Sequence, residues 1–137
     1  MWDLTVTAAV DSGRAAFRMA GMSPADIDVV EPYDAFTINP ILFLEDLDFC
    51  RKGEGGEFVA NGRIAPGGSL PVNTNGGGLS FGHPGAYGIF TVVEAVEQLR
   101  GQAGARQVKD AKAALCHGNG AVLSAQSTAI LGTAAAP

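Results

Sequence analysis

Asn73-Thr74-Asn75-Gly76-Gly77-Gly78-Leu79-Ser80-Phe81-Gly82-His83-Pro84-Gly85-Ala86-Tyr87-Gly88 sets a single histidine among glycines, just ahead of an apolar segment. Glycine reaches positive φ and removes side-chain bulk, so backbone N–H groups in such a run can approach a ligand closely. A helix that follows turns its positive N-terminal end toward negative charge. His83 is thereby placed where an oxyanion or a thiolate could sit. Taken alone, the run is equally compatible with a glycine-rich surface turn carrying an incidental histidine.

Two more polar clusters fall at the ends of expected elements. Cys116-His117-Gly118-Asn119-Gly120 lies between two expected strands, and Glu31-Pro32-Tyr33-Asp34-Ala35-Phe36 ends another. Together the three clusters resemble the C-terminal half of the thiolase superfamily. That family carries, in this order, an Asn-Glu-Ala-Phe or His-Asp-x-Phe box, an Asn-x-x-Gly-Gly-x-x-x-x-Gly-His-Pro box and a Cys-x-Gly-x-Gly box. Here they read as Tyr33 to Phe36, Asn73 to Pro84 and Cys116 to Gly120, and the resemblance runs from about Val6 to Leu131. The long box is the specific one; the first alone would be weak. The branch that the chain is most similar to is that of sterol-carrier-type thiolases, lipid-transfer proteins and steroid side-chain aldolases.

Bulk properties agree with one domain. A chain of 137 residues that is 47% hydrophobic can bury a real core, with about two-thirds of the unfolded surface lost on folding at this size. The formal net charge is -5, and nine acids face two bases between Pro24 and Glu57. Nucleic acid is thus an unsuitable partner, since phosphate binding needs a basic face. Arg100, Arg106, Lys109 and Lys112 read as a solvated helix end and loop. No apolar run approaches the roughly 18 residues that span a bilayer, and Met1-Trp2-Asp3 lacks a basic signal-peptide start, so no membrane is expected and the location reads as cytoplasmic. Cys50 and Cys116 form neither a disulfide framework nor a metal pair, and no metal site is expected. Cys50 reads as inert, near a helix end.

Periodicity and punctuation give the elements. Val6, Val10, Phe17 and Ala20 predict a helix over 5–20 that ends at Gly21 as C′ residue. Ser23-Pro24 with Asp26 starts a single turn, after which 28–31 becomes strand-like and ends at Pro32 or Tyr33. Ile38, Ile41, Leu42, Leu44 and Leu47 predict a buried helix within 35–49, with Pro40 in its first turn. Residues 53–72 read as a loop excursion near the site. Ile89, Val92, Val93, Val96 and Leu99 predict a core helix from near Tyr87 to before Gly101. A strand over 112–116 is expected to turn at Asn119-Gly120 into a last strand over 121–131. Residues 1–4 and 132–137 read as frayed. The sum is an α/β layered domain with a mixed sheet and core helices, no repeat being visible.

The resemblance implies chemistry at a carbon–carbon bond beside a thioester carbonyl, with a coenzyme A thioester as substrate and no tightly bound cofactor. Such a reaction creates an enolate, whose oxygen needs donors already in place. In thiolases the Gly-His-Pro histidine assists a nucleophilic cysteine of the N-terminal half, and the Cys-x-Gly-x-Gly cysteine is an acid and base. Those roles fall on His83 and Cys116, with Asn73, Asn75, Gly76, Gly77, Gly82, Gly118 and Gly120 implied around the substrate. Without that context Cys116 would read as a small buried hydrophobe. His117, at a position variable in the family, reads as structural or as a ligand contact.

Two departures matter. Tyr33 stands where the family has Asn or His, and the segment after Gly-His-Pro is one residue short, placing Tyr87 near a usual Ser. Each tyrosine alone would be an ordinary amphipathic core residue. Together they are similar to the thiolase-fold aldolases, which cut β-hydroxyacyl-CoA by a retro-aldol step beside a DUF35 partner with an OB-fold and zinc ribbon. Retro-aldol cleavage needs a base and enolate donors but no covalent cysteine, whereas thiolysis needs an acyl-enzyme. A phenol with an ordinary pKa of about 10 would need tuning by its neighbours, His83 foremost, to act as that base. Family members build their site between two halves, and only the second is recognisable here. The expectation is therefore a fragment, a docking subunit or a non-catalytic acyl-CoA or lipid-binding domain, associated with an N-terminal half or with its own copies. Ordinary β-ketoacyl-CoA thiolysis or acyl transfer is the alternative enzyme.

Overall fold

Two apolar runs separated by most of the chain pair side by side in the computed structural model, which describes residues 3–137. β1 (Val29–Pro32) lies parallel to β2 (Ala113–Gly120), with Glu31 opposite Cys116 and Pro32 opposite His117. β3 (Ala125–Gly132) returns antiparallel along the other edge of β2, giving a mixed sheet in the order β1-β2-β3. A parallel pair requires a crossover, and the long connection between β1 and β2 supplies it. That connection holds α2 (Ile38–Asp46), α3 (Gly55–Phe58), α4 (Gly77–Phe81) and α5 (Gly88–Leu99), while α1 (Ala9–Ala20) precedes β1.

Alternation along the strands builds a core on each face of the sheet. Val30, Ala113 and Leu115 meet Ala9 of α1 and Phe43, Leu44 and Leu47 at α2. Val29, Ala114 and Cys116 face Ala95 of α5. Burial on both faces explains why β2 starts as the continuous apolar run Ala113-Ala114-Leu115-Cys116. The layered α/β class expected from the sequence is the one observed.

Element ends differ from expectation for identifiable reasons. α1 ends at Gly21 as expected, in the left-handed region at φ 70°, but starts at Ala9 because Thr7 is pinned in advance. Its N–H donates to buried Asp46 Oδ2 at 2.8 Å, and its Oγ1 accepts from Ala9 N at 3.1 Å. In α2 the buried face is Phe43 and Leu44 with Glu45 and Asp46, whereas Ile38 is 52% exposed. The acids can turn inward because Lys52 bridges both, at 3.3 Å to Glu45 and 2.5 Å to Asp46. Periodicity alone could not show that pairing.

The 53–72 segment is more regular than expected. It holds α3 and a 3-10 turn at Ala60–Gly62, and its Gly55 N–H donates to Glu45 Oε1 at 2.8 Å. Asn119-Gly120 is not the hairpin turn, because both residues stay in the ladder opposite Gln126 and Ala125. The turn is 121–124, with Ala121 and Leu123 at positive φ. Two further ladder pairs outweigh the turn preference of Asn-Gly. The end of the chain is tied down rather than frayed: Thr133 N–H donates to Lys112 O at 2.8 Å and Ala136 N–H to Thr133 O at 3.1 Å. Of the expected frayed start, Met1 and Trp2 lie outside the described residues; Asp3 Oδ1 accepts from Thr5 N at 2.7 Å, and Leu4 is exposed. Among the described residues no helix is long and apolar enough to cross a membrane.

His117 is a cross-link of this fold. It is fully buried against the Phe43 ring at 4.5 Å between centroids. Nε2 donates to Gln126 Oε1 at 2.7 Å, since an amide oxygen can only accept, and Nδ1 accepts from Thr128 Oγ1 at 2.9 Å. Burial lowers its pKa to about 4. The unfolded chain therefore binds more protons than the folded one between the ordinary histidine value and about 4, and stability in that window falls with falling pH. Acidification from neutral pH should remove as much as about 3 kcal/mol through this one residue. Urea unfolding across that range checks it: His117→Gln, which keeps a donor and an acceptor, is expected to be less stable overall but to show a flatter acid limb.

Candidate active site

Tyr33 follows the last residue of β1, and the alternation that turns Val29 and Glu31 toward α5 turns Tyr33 the same way. Its N–H donates to His117 O at 2.8 Å, fixing the strand end against β2. The Tyr33 ring lies between two others: Tyr87, at 5.0 Å and 22°, and His83, at 5.6 Å and 7°. Tyr87 immediately precedes α5 and also meets Phe90 at 5.6 Å. Three residues singled out in the sequence thus form one stack. His83 and Tyr87 line a groove of about 490 Å³ with Asn75, Phe81 and Phe90, and Tyr33 stands behind them, off its wall.

Both phenols are buried, whereas His83 is exposed to the groove. Neither the Tyr33 nor the Tyr87 hydroxyl makes a hydrogen bond of normal geometry among the described residues, although the Asn75 side chain lies close enough to Tyr87 to favour its ionised form. An unpaired buried hydroxyl costs about 1–3 kcal/mol, and such groups in native proteins call for a functional explanation. Burial and the Asp34 carboxylate push the Tyr87 pKa up to about 12, outweighing the Asn75 amide, which acts in the opposite sense. The tuning is opposite to what a tyrosine base requires. At neutral pH Tyr87 keeps its proton, so it can donate a hydrogen bond but is unsuited to be the base.

The glycine loop is built around Asp34. Its Oδ1 accepts from Gly78 N at 2.5 Å and its Oδ2 from Leu79 N at 3.3 Å, so the first N–H groups of α4 are already satisfied. The expectation that they would be open to a ligand is corrected by a residue from the first box. Gly77 is at φ 68°, and a Cβ there would stand 2.2 Å from Asp34 Oδ2. Gly76 starts α4 at φ 99°, Asn75 Oδ1 accepts from Gly77 N at 2.8 Å, and Gly82 lines the groove. Asn73, at φ 49°, donates its N–H to Val30 O at 3.0 Å and leaves a buried, unpartnered Oδ1.

Cys116 is not on the groove wall. It is buried between β2 and α5 with Sγ 3.6 Å from Thr91 O, and burial beside Glu31 pushes its thiol up to about 12. Gly118 packs against Gly88 at the start of α5, while Gly120 is exposed at the far end of β2. Residues 53–72 contribute nothing to the groove wall. Sequence reasoning missed Asp34 as the loop's anchor and Phe81 and Phe90 as apolar walls. The signal for Asp34 was an acid between two aromatic residues of a recognisable box. Among the described residues no group of three or more His, Cys, Asp or Glu could hold a metal ion.

Gly77→Ala adds both the 2.2 Å clash and a strained φ, and is expected to lower stability by about 2–4 kcal/mol in urea unfolding. Gly85→Ala, at φ 78° with open space around the new methyl, should cost only about 1 kcal/mol.

The sequence and its fold have counterparts. Residues 1–133 match the family model described as thiolase C-terminal domain-like. The chain is 48% identical over 120 residues to an acetyl-CoA acetyltransferase of Methanothermobacter thermautotrophicus, covering 86% of this chain and 31% of that protein. It is 44% identical over 89 residues to the 17-hydroxy-3-oxo-4-pregnene-20-carboxyl-CoA lyase of Mycobacterium tuberculosis, covering 65% and 22%. A solved structure of an Ltp2-ChsH2(DUF35) aldolase superposes with a TM-score of 0.79 at 33% identity, covering 90% of this chain and 31% of its own. The chain spans under a third of the length of these relatives. With a family model covering nearly all of it, this chain belongs to the thiolase superfamily as a C-terminal domain.

Proposed function

We propose that this domain supplies the enolate-stabilising side of an acyl-CoA carbon–carbon lyase that works by retro-aldol cleavage of a β-hydroxyacyl-CoA. The observation that carries the reading is the pair of buried, unpartnered phenol hydroxyls stacked beside His83. A base removes the proton of the β-hydroxyl, the Cα–Cβ bond breaks, and its electron pair passes to the thioester oxygen as an enolate. A ketone or aldehyde leaves, and protonation at Cα gives the shortened acyl-CoA. Tyr33 and Tyr87 suit the oxygen, because a protonated phenol is a donor fixed in a desolvated place. The proton acceptor then falls to His83, the groove residue whose imidazole can offer a nitrogen lone pair. The lyase and aldolase relatives support this choice, with a steroid-type acyl chain as the implied substrate and a DUF35 protein as a possible partner.

Thiolysis, which the acetyltransferase relative favours, would ask Cys116 to act as acid and base. A thiol pushed up to about 12 and turned to Thr91 O is poorly placed for that. The two reactions separate by co-substrate, since only thiolysis consumes free coenzyme A. In the assembled enzyme Tyr33→Phe and Tyr87→Phe should each remove most activity, and His83→Ala should lower kcat by about 100-fold or more. Cys116→Ser should be milder. An absolute need for free coenzyme A with full activity in both Phe variants would return the chain to thiolysis, and acyl-CoA binding without product would leave a binding domain.

The same reading requires a second half. α5 turns Thr91, Glu94, Ala95 and Gln98 inward with Val92 and Leu99 packed on the core, while Ile89, Phe90 and Val93 are exposed, so only part of the expected face is buried. Phe36, Ile38, Leu79 and Phe81 are exposed as well. Large apolar residues left outward on this scale mark an interaction surface. Light scattering at micromolar concentration is expected to find the chain associated with itself or with the other half, and a monodisperse monomer without a partner would count against it.

A further inference from the structure

Beneath the glycine loop lies a cluster of polar groups that the steps above do not use. Glu31 of β1 and Glu94 and Gln98 of α5 are all at least 98% buried, and all three reach one hydroxyl. Thr74 Oγ1 is 2.9 Å from Glu31 Oε1, 2.6 Å from Glu94 Oε1 and 2.9 Å from Gln98 Nε2. A hydroxyl has one hydrogen and two lone pairs. Gln98 can only donate to it, so one lone pair is taken. The single hydrogen serves one carboxylate, and two ionised carboxylates cannot both be satisfied.

The second proton must therefore come from a carboxyl group, and the surroundings decide which. Arg106 clasps Glu94 in two bonds, Nε to Oε1 at 3.2 Å and Nη2 to Oε2 at 2.9 Å, so Glu94 is the ionised member. Burial opposes this, but the bonds from Arg106, Thr74 and Gln98 hold its carboxyl below the ordinary range. No cation reaches Glu31 among its recorded contacts, whose bonds come from Thr74 N at 3.1 Å and Thr74 Oγ1. The groups facing it are acidic or neutral: Glu94 on α5, Asp34 after β1, Cys116 on β2 and Tyr87 before α5.

We propose that Glu31 is a positioning residue that carries a proton in the folded protein and donates it to Thr74 Oγ1, holding the Asn73–Asn75 segment under the groove. Thr74 then donates to Glu94, and the chain Glu31–Thr74–Glu94–Arg106 ties β1, the loop and α5 together. Asn75 on the groove wall and the orphan Oδ1 of Asn73 flank the anchored residue. Loss of the proton would set two carboxylates against one hydroxyl and release the loop. Burial, with smaller contributions from Glu94 and Asp34, puts that loss at about pH 8, against the opposing bonds from Thr74.

The sign for stability follows. The folded state binds a proton that the unfolded state has released, so this contribution is full below the ordinary glutamate value and is lost as pH rises through about 8. Glu31→Gln, with its Nε2 in the place of Oε1, keeps a donor to Oγ1 at every pH, at the expense of the Thr74 N–H bond that the same oxygen accepts. Melting temperatures from about pH 6 to pH 9.5 should fall by several degrees more in the wild type than in Glu31→Gln, and Glu31→Ala should be the less stable variant throughout. Infrared spectra of the wild-type protein at neutral pH should show a protonated-carboxyl band that vanishes at alkaline pH and is missing in Glu31→Gln. Identical pH slopes together with no such band would overturn the proposal. Should Glu31→Gln fail to fold, glutamate carboxyl ¹³C titration of the wild type decides: one carbon with a midpoint near 8 supports it, and all midpoints below about 6 sink it. The link to turnover rests on the function proposed above and is read separately. Acyl-CoA cleavage should lose its alkaline limb near pH 8 in the wild type and keep it in Glu31→Gln, whereas an unchanged limb would overturn the positioning role without touching the cleavage reading.

Discussion

The parallel pairing of β1 with β2 is the constraint from which the site follows. Its register sets Glu31 opposite Cys116 and Pro32 opposite His117, and the His117 carbonyl receives the Tyr33 N–H just beyond the strand. Alternation then sends Glu31, Tyr33 and Cys116 to the α5 side and His117 to the α1 and α2 side. A slip of one residue would exchange those faces, burying Tyr33 against Phe43 and turning His117 toward the groove. Roles in this domain are thus distributed by strand parity before any chemistry enters.

Hydrogen-bond accounting explains why the polar residues under the loop are tolerated. Asp34 takes the first N–H groups of α4, and Glu94, Gln98 and Thr74 satisfy one another with Arg106 closing the set. Buried charge without such partners would be prohibitive, while a fully bonded network fixes one conformation. Asn73 Oδ1 is one exception, and the hydroxyls of Tyr33 and Tyr87 are two more. They lie among well-satisfied neighbours and are themselves left open, which is the arrangement expected of donors kept for an incoming oxygen.

α5 shows how amphipathicity misleads when buried partners wait for a helix's polar stripe. Ile89, Val92, Val93, Val96 and Leu99 form a stripe that reads as the core face, yet Val93 is 48% exposed and Glu94 only 2%. The polar face turns inward because partners for it come from residues distant in sequence, Thr74 and Arg106. Of the apolar stripe, Val92 and Leu99 pack on the core beside buried Ala95, while Ile89 and Val93 stay exposed. Where polar and apolar stripes of a helix both contribute to packing, periodicity alone does not fix its orientation.

By itself the sequence determined the family, the class of fold and the residues of the stack. Those depend on spacing within short boxes and on which residue types replace the usual ones, and both are printed in the chain: Tyr33 and Tyr87 are legible as replacements without coordinates. Gly21 as a helix stop and the run beginning at Ala113 were legible for the same local reason. The tertiary structure decided what each group can do. Cys116, placed by its box among the catalytic candidates, shares the Tyr33 side of the sheet but is buried under α5 against Thr91, and His117 becomes a cross-link because Thr128 comes opposite it in the ladder and Gln126 two residues along. Tyr87 is a donor rather than a base because burial and Asp34 raise its pKa, and the proton assigned to Glu31 follows from three side chains meeting at one hydroxyl. Protonation depends on the company a group keeps in space, which no single stretch of sequence specifies.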